Sequence, residues 1–406
     1  MELCYEKLAF MVMILFIFYQ SIPLALGQPS LIWQSGQIDT KPHVLESSNL
    51  VSLNESQHML GWADETGALV QDHFTLGAEE RQNANAFHMV VVGDSIAWGT
   101  GLEKNEKYYY KVADWLQKKL KRPVDVTILA HTGATFKEPK NKQYAFVDPE
   151  LISWDPSISE QADWINNPKD VGLILLSGGI NDVGVDTILN PLTSSADISA
   201  DCSSIEDSMY NVLLKLLSRC FNSKIVVTSY YPIVSVDTPK STLIDFVNES
   251  LNNDPNLIQK ALASESVAQT AFNEDFFSYS LNVIRNNSYA FNSRSKESIS
   301  RAVDRANVYT NSERVIFALV NFSSDRSYGT NKSWLWKLVD TEAGSKIDDH
   351  KYTYRVSLCE NNYNSICNWQ DKIDAIGHPN VEGAAEYAHE IESVIEAKGP
   401  NWLGKT

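Results

Sequence analysis

A chain of 406 residues that is 43% hydrophobic and 21% charged can bury a large core, and it contains no low-complexity tract. Acidic residues outnumber basic ones 51 to 34, for a formal charge of -17. A surface of that sign repels nucleic acid and anionic membranes, which sets both aside as primary partners.

The amino end reads as an export signal. Leu8 to Tyr19 is an unbroken apolar run of 12 residues, the length of a signal core and too short to cross a bilayer. Ala25 and Gly27 are small residues at the cleavage-recognition positions, so residues 1–27 are expected to be removed and the mature chain to begin near Gln28. The expected product is secreted and keeps no stable membrane span. Glu2 and Glu6 offset Lys7, however, and a retained signal anchor is the alternative.

Cleavage would remove Cys4 and leave Cys202, Cys220, Cys359 and Cys367. An even count in an exported chain suggests two disulfides, with Cys202–Cys220 and Cys359–Cys367 favoured because each closes a local loop. Buried free thiols are the alternative. With no CxxC and no clustered histidines, no metal site is expected. Five N-x-S triplets, at Asn54, Asn248, Asn286, Asn321 and Asn331, permit glycosylation without showing it.

Residues 28–85 are polar and irregular and read as an amino-terminal extension. Short apolar runs rich in β-branched residues follow, at 88–92, 124–129, 171–176, 224–229 and 314–320. Their apolarity is continuous, as in strands covered on both faces. Between them, one-sided apolar spacing predicts helices at Tyr108–Leu120 and Ile205–Leu217. A last helix is predicted after Pro379. This alternation predicts a five-stranded parallel sheet with helices on both sides. Two insertions interrupt it, at about 240–312 and 321–370. Ala261–Phe277 is the expected helix in the first, and either insertion is a candidate substrate wall.

Ligands gather beyond the carboxyl ends of strands in an open parallel sheet. Four stretches in this chain are placed there. GDSIAWG follows the first run and sets Ser95 at a helix start, where backbone N–H groups favour a developing negative charge. AHTGATF follows the second and offers Gly133, whose N–H no side chain screens. SGGIND follows the third and offers the Asn181 amide as an oxyanion donor. Far downstream, DAIGHPN carries His378, a general base, with Asp374 four residues before it and Pro379 opening the final helix. Each stretch alone reads as a turn or a cap. Asp94 and Asp182 read as structural hydrogen-bonding residues, and His88 and His131 as packing or hydrogen-bonding residues. Trp98, Tyr230 and Tyr231 are placed near the rim of the site, as acyl-group contacts or as ordinary core packing.

In this order and context, the four stretches resemble the SGNH (GDSL-type) hydrolase family, whose blocks are named for a serine, a glycine, an asparagine and a histidine. The resemblance implies a three-layer α/β/α fold like flavodoxin, in a domain over 86–400, and ester hydrolysis without a metal or other cofactor. It implies Ser95 as nucleophile and His378 as base. It also implies an oxyanion hole made by the backbone N–H groups of Ser95 and Gly133 with the Asn181 side chain. The family spaces its aspartate three residues before the histidine, whereas Asp374 stands four before. Gly377 can absorb the extra residue; otherwise Asp371 or a backbone carbonyl orients the ring. The expected substrate is a small-molecule, lipid or acylated-glycan ester. Acyl transfer through the same residues and a non-catalytic binding protein on this fold are the rival readings.

Overall fold

The structure is a computed structural model that describes residues 62–63, 69–77, 85–137, 148–153, 155–190, 193–243, 274–341, 344–361, 367, 369–399 and 401–404. The signal segment, the Asn54 and Asn248 triplets and most of the helix expected at 261–277 lie outside the described residues.

Six strands form the main sheet: β3 (Asp72–Leu76), β4 (Phe87–Gly93), β5 (Val124–Ile128), β6 (Val171–Ser177), β7 (Lys224–Thr228) and β8 (Val315–Ala318). Their order is β3-β5-β4-β6-β7-β8. The five strands from β4 to β8 pair in parallel and are the five read from the sequence. The sixth corrects that count. β3 lies inside the expected amino-terminal extension and pairs antiparallel with β5, from Asp72 opposite Ile128 to Leu76 opposite Val124. Two small hairpins stand apart: β1 (Trp62–Ala63) with β2 (Leu69–Val70), and β9 (Leu338–Thr341) with β10 (Gly344–Ile347).

Leaving β3 aside, the parallel strands take the order 2-1-3-4-5. The chain steps one way from β4 to β5 and the other way from β6 through β8. Right-handed crossovers therefore put their helices on opposite faces. α2 (Tyr108–Leu120), which makes the first crossover, lies on one face. α10 (Val381–Ala397) packs beside it, with Tyr387 stacked on Tyr108 at 5.6 Å between ring centres. α6 (Ser195–Arg219) and α7 (Glu274–Thr310) pack along each other on the other face, joined by ion pairs from Arg301 and Arg305 to Glu206. The short α3 (Ile158–Asp163) also packs on α6. This is the three-layer α/β/α arrangement expected. The central strands β4 and β6 are covered on both faces, with Met89, Val91, Leu173 and Leu175 wholly buried.

α2 occupies the span read from its periodicity. α6 begins ten residues earlier than its apolar face suggested, because Ser194 and Asp197 form a capping box that starts the helix at Ser195. That length overturns one expected disulfide. Cys202 and Cys220 sit on one continuous helix and its cap, which at 1.5 Å per residue separates them by about 27 Å. A disulfide needs Cα atoms within about 7 Å. Both are free, buried thiols. Cys359 and Cys367 do pair, with Cα atoms 5.3 Å apart. They close the end of α8 (Tyr352–Asn361) in the second insertion.

Candidate active site

The serine turn is built by crowding at the ends of two strands. Gly93 pairs with Ser177 across β4 and β6 at φ 146°, and a Cβ there would stand 2.2 Å from the Ser177 carbonyl oxygen. Only glycine fits. Asp94 follows as the N-cap of α1 (Ser95–Trp98). Its carboxylate accepts from Ile96 N at 3.0 Å, Ser177 Oγ at 3.1 Å and Tyr230 Oη at 2.5 Å. It is wholly buried, and that burial raises its pKa against the opposing hydrogen bonds from Tyr230 and Ser177. The expected structural role of Asp94 thus has named partners. Ser95 opens α1 and is 3% exposed. The helix lasts one turn, after which Gly99 and Thr100 turn back their N–H groups onto the Ser95 carbonyl.

The second turn is latched to the first. His131 N donates to the Gly93 carbonyl at 3.3 Å, and the Thr100 and Thr132 hydroxyls meet at 2.7 Å. The His131 ring is buried and pinned between the Thr132 and Pro156 carbonyls, a packing role as expected. Gly133 adopts φ 88°, and a Cβ would lie 2.7 Å from the Ser153 carbonyl oxygen. Among the described residues, neither the Ser95 N–H nor the Gly133 N–H donates to another group.

Asn181 lies in α4 (Ile180–Val183), behind Gly178 and Gly179. Its amide donates to the Ala134 carbonyl at 3.0 Å, one residue past Gly133. Asp182 accepts from Phe136 N at 3.2 and 3.1 Å, and burial pushes its pKa up to about 6. Tyr230 fastens this turn to the serine turn. Its hydroxyl accepts from Ile180 N at 3.1 Å while donating to Asp94. Tyr230 was placed at a rim by the sequence; it is 1% exposed and holds the inside of the site together.

His378 comes from the far end of the chain. The segment 334–336 grips its backbone: Trp336 N donates to the His378 carbonyl at 2.9 Å, Gly377 N to the Trp336 carbonyl at 3.0 Å and Asn380 N to the Trp334 carbonyl at 2.9 Å. Tyr231 Oη donates to the Gly377 carbonyl at 2.8 Å. Gly377 takes φ 72°, a left-handed conformation that favours glycine. Asn380 then caps α10 by accepting from Gly383 N at 3.1 Å. The base loop also meets the exit of the serine turn, since a Cβ on Gly101 would lie 2.9 Å from Ala375 Cβ and 3.0 Å from Trp336 Nε1.

The structure does not join Asp374 to His378. Asp374 Oδ2, His378 Nδ1 and Trp336 Nε1 are each buried without a hydrogen-bond partner. Burial, helped by the Arg355 charge, holds His378 down at about 4. Burial pushes Asp374 up to about 8, with Asp371, Glu150 and Asp349 acting in the same direction against Arg355. Burial thus favours the neutral form of both groups in the resting protein. Among the described residues, no three His, Cys, Asp or Glu side chains cluster as metal ligands would. No described helix is long and apolar enough to cross a membrane.

No family model and no curated protein matches this chain in sequence. Three solved structures resemble its fold. The extracellular lipase of Streptomyces rimosus is 14% identical over 76% of this chain and 99% of its own, with a TM-score of 0.42. Phospholipase A1 of Streptomyces albidoflavus NA297 is 15% identical over 76% and 99%, at 0.38. A family 2 carbohydrate esterase of Corynascus thermopiles is 13% identical over 77% and 67%, at 0.36. Likeness at this level does not reach the chemistry, which rests on the residues above.

Proposed function

We propose that this protein is a secreted serine ester hydrolase. One observation carries the reading: at the ends of three adjacent strands, the Ser95 and Gly133 N–H groups have no acceptor among the described residues, and the Asn181 amide is fastened one residue from Gly133. Donors arranged in this way suit the oxygen of a tetrahedral intermediate, where charge develops in acyl transfer.

Ser95 Oγ attacks the ester carbonyl carbon while His378, neutral at pH 7, takes the hydroxyl proton. The carbonyl π electrons move to oxygen, which the Ser95 and Gly133 N–H groups and the second Asn181 amide proton hold. The intermediate collapses, the carbon–oxygen ester bond breaks, and His378 returns its proton to the departing alkoxide. Water then attacks the acyl-serine with His378 again as base; the bond from the acyl carbon to Ser95 Oγ breaks, His378 returns the proton to Oγ, and the carboxylic acid leaves. In this scheme Asp374 works as the ionised carboxylate, having lost its proton to solvent, and its Oδ2 accepts from His378 Nδ1–H, a contact that lowers the carboxyl pKa and raises that of the ring.

An apolar cavity lies beside the base loop, lined by Leu189, Ile233, Val234, Leu243, Ile284 and Ile376 among others. The test is turnover of p-nitrophenyl esters of graded chain length by the wild type and by Ser95→Ala. The reading expects loss of at least about 10⁴-fold in kcat with an unchanged folded spectrum. Full activity in Ser95→Ala would end it.

A further inference from the structure

A cluster of buried charge lies between the serine turn and the base loop, and nothing in the scheme above uses it. Glu150 is 2% exposed and Arg355 wholly buried. The Glu150 carboxylate accepts from Trp98 Nε1 at 2.9 Å and from Gly101 N at 3.1 Å, both at the exit of the serine turn. It also meets Arg355 Nη1 at 3.3 Å and Lys107 Nζ at 3.6 Å. Lys107 sits over the Trp98 ring, 3.3 Å from its centre. From the other side, Arg355 grips Asp349 through two nitrogens, at 3.0 and 2.6 Å. Its Nε donates to the Lys372 carbonyl at 3.3 Å, two residues before Asp374. Three donors and a nearby ammonium on one carboxylate, and a guanidinium with acceptors on three nitrogens, form a site whose geometry is fixed by charge-assisted bonds.

We infer that Glu150 and Arg355 are positioning residues of this site: their buried ion pair holds the serine turn against the imidazole loop without touching the reacting atoms. The inference rests on the ester-hydrolase reading for its consequence in catalysis. Its electrostatic consequence stands by itself. The Arg355 charge disfavours a proton on His378, and the Glu150 charge favours one. The other charged groups facing this cluster are Lys107 ahead of α2, Asp148 in the turn before Glu150, Asp349 ahead of α8, and Asp371 and Asp374 in the approach to His378. The Cys359–Cys367 disulfide closes the chain one helical turn beyond Arg355 and anchors the arm that delivers it.

Two variants of the full chain separate positioning from mere packing. Arg355→Met removes the positive member and Glu150→Gln the negative one. The ring of His378 is titrated by NMR of its ε1 position, assigned with His378→Asn. Arg355→Met is expected to move the His378 titration to higher pH and Glu150→Gln to move it lower, each on the order of half a pH unit or more. Both are expected to lose about tenfold or more in ester kcat with little change in KM, because misplacement of a reacting group is felt in the chemical step. Titrations that stay in place, or move in the same direction in both variants, overturn the inference. If Arg355→Met does not fold, the nearly isosteric Glu150→Gln decides alone. A wild type that cleaves no ester would end the hydrolase reading, while the two titrations would still decide whether the pair acts on His378.

Discussion

The two halves of the site are held in different ways. The serine, glycine and asparagine turns stand at the ends of neighbouring strands and are cross-linked by short side-chain bonds: Tyr230 between Asp94 and Ile180, Asn181 to Ala134, Thr100 to Thr132. The imidazole arrives on a loop outside the sheet, gripped through its backbone by the segment 334–336; two buried polar atoms of the loop, Asp374 Oδ2 and His378 Nδ1, and Trp336 Nε1 of the gripping segment stand unpaired among the described residues. Unpaired buried polar groups are costly, and a group that finds its partner during reaction regains that cost. On the proposed reading, the donor half is preorganised and the His378 half is completed when charge appears on the ring.

Substitutions can break this contrast. The largest effect is expected where the base half must complete itself. Asp374→Asn should cut kcat by about 1,000-fold or more if its carboxylate meets the imidazolium in turnover. Steady-state kinetics at saturating ester measure this, and a loss below tenfold would move the orienting role to Asp371 or a backbone carbonyl. In the preorganised half, Asn181→Ala removes one oxyanion donor and should slow kcat about 100-fold while leaving KM nearly unchanged. A change confined to KM would take Asn181 out of the oxyanion hole. The smallest effect is expected from Tyr230→Phe. It leaves the Ile180 N–H without its acceptor and strips one donor from buried Asp94, at a cost of about 1–3 kcal/mol in unfolding free energy. Chemical denaturation reads this directly, and an unchanged midpoint would show that the clamp does not hold the two turns.

The parallel sheet was legible because strands covered on both faces write unbroken apolar runs, and each was found within a residue or two of its place. β3 was not legible. Its sequence, DHFTL, alternates between half-buried and exposed positions and carries Asp72 and His73, so it reads as polar loop until β5 supplies a partner. The long α7, Glu274–Thr310, was not read as one helix because its sequence is rich in Ser, Asn and Arg and shows little apolar contrast; the helix expected at 261–277 lies mostly outside the described residues. The motif residues announced themselves through glycines that only crowded turns require. Glu150, Arg355 and the clamp role of Tyr230 did not. A charged residue in a loop-rich stretch reads as solvent-facing, and only three-dimensional closure shows that Arg355 lies wholly inside.

The central claim is that Ser95 is an activated nucleophile served by His378. The most direct measurement is labelling of the intact protein by a fluorophosphonate, with the modified peptide located by mass spectrometry. The account expects one adduct, on Ser95, formed rapidly in the wild type and slowed at least about 100-fold in His378→Ala. A protein that takes no label on Ser95, or takes it equally fast without the imidazole, would contradict the account.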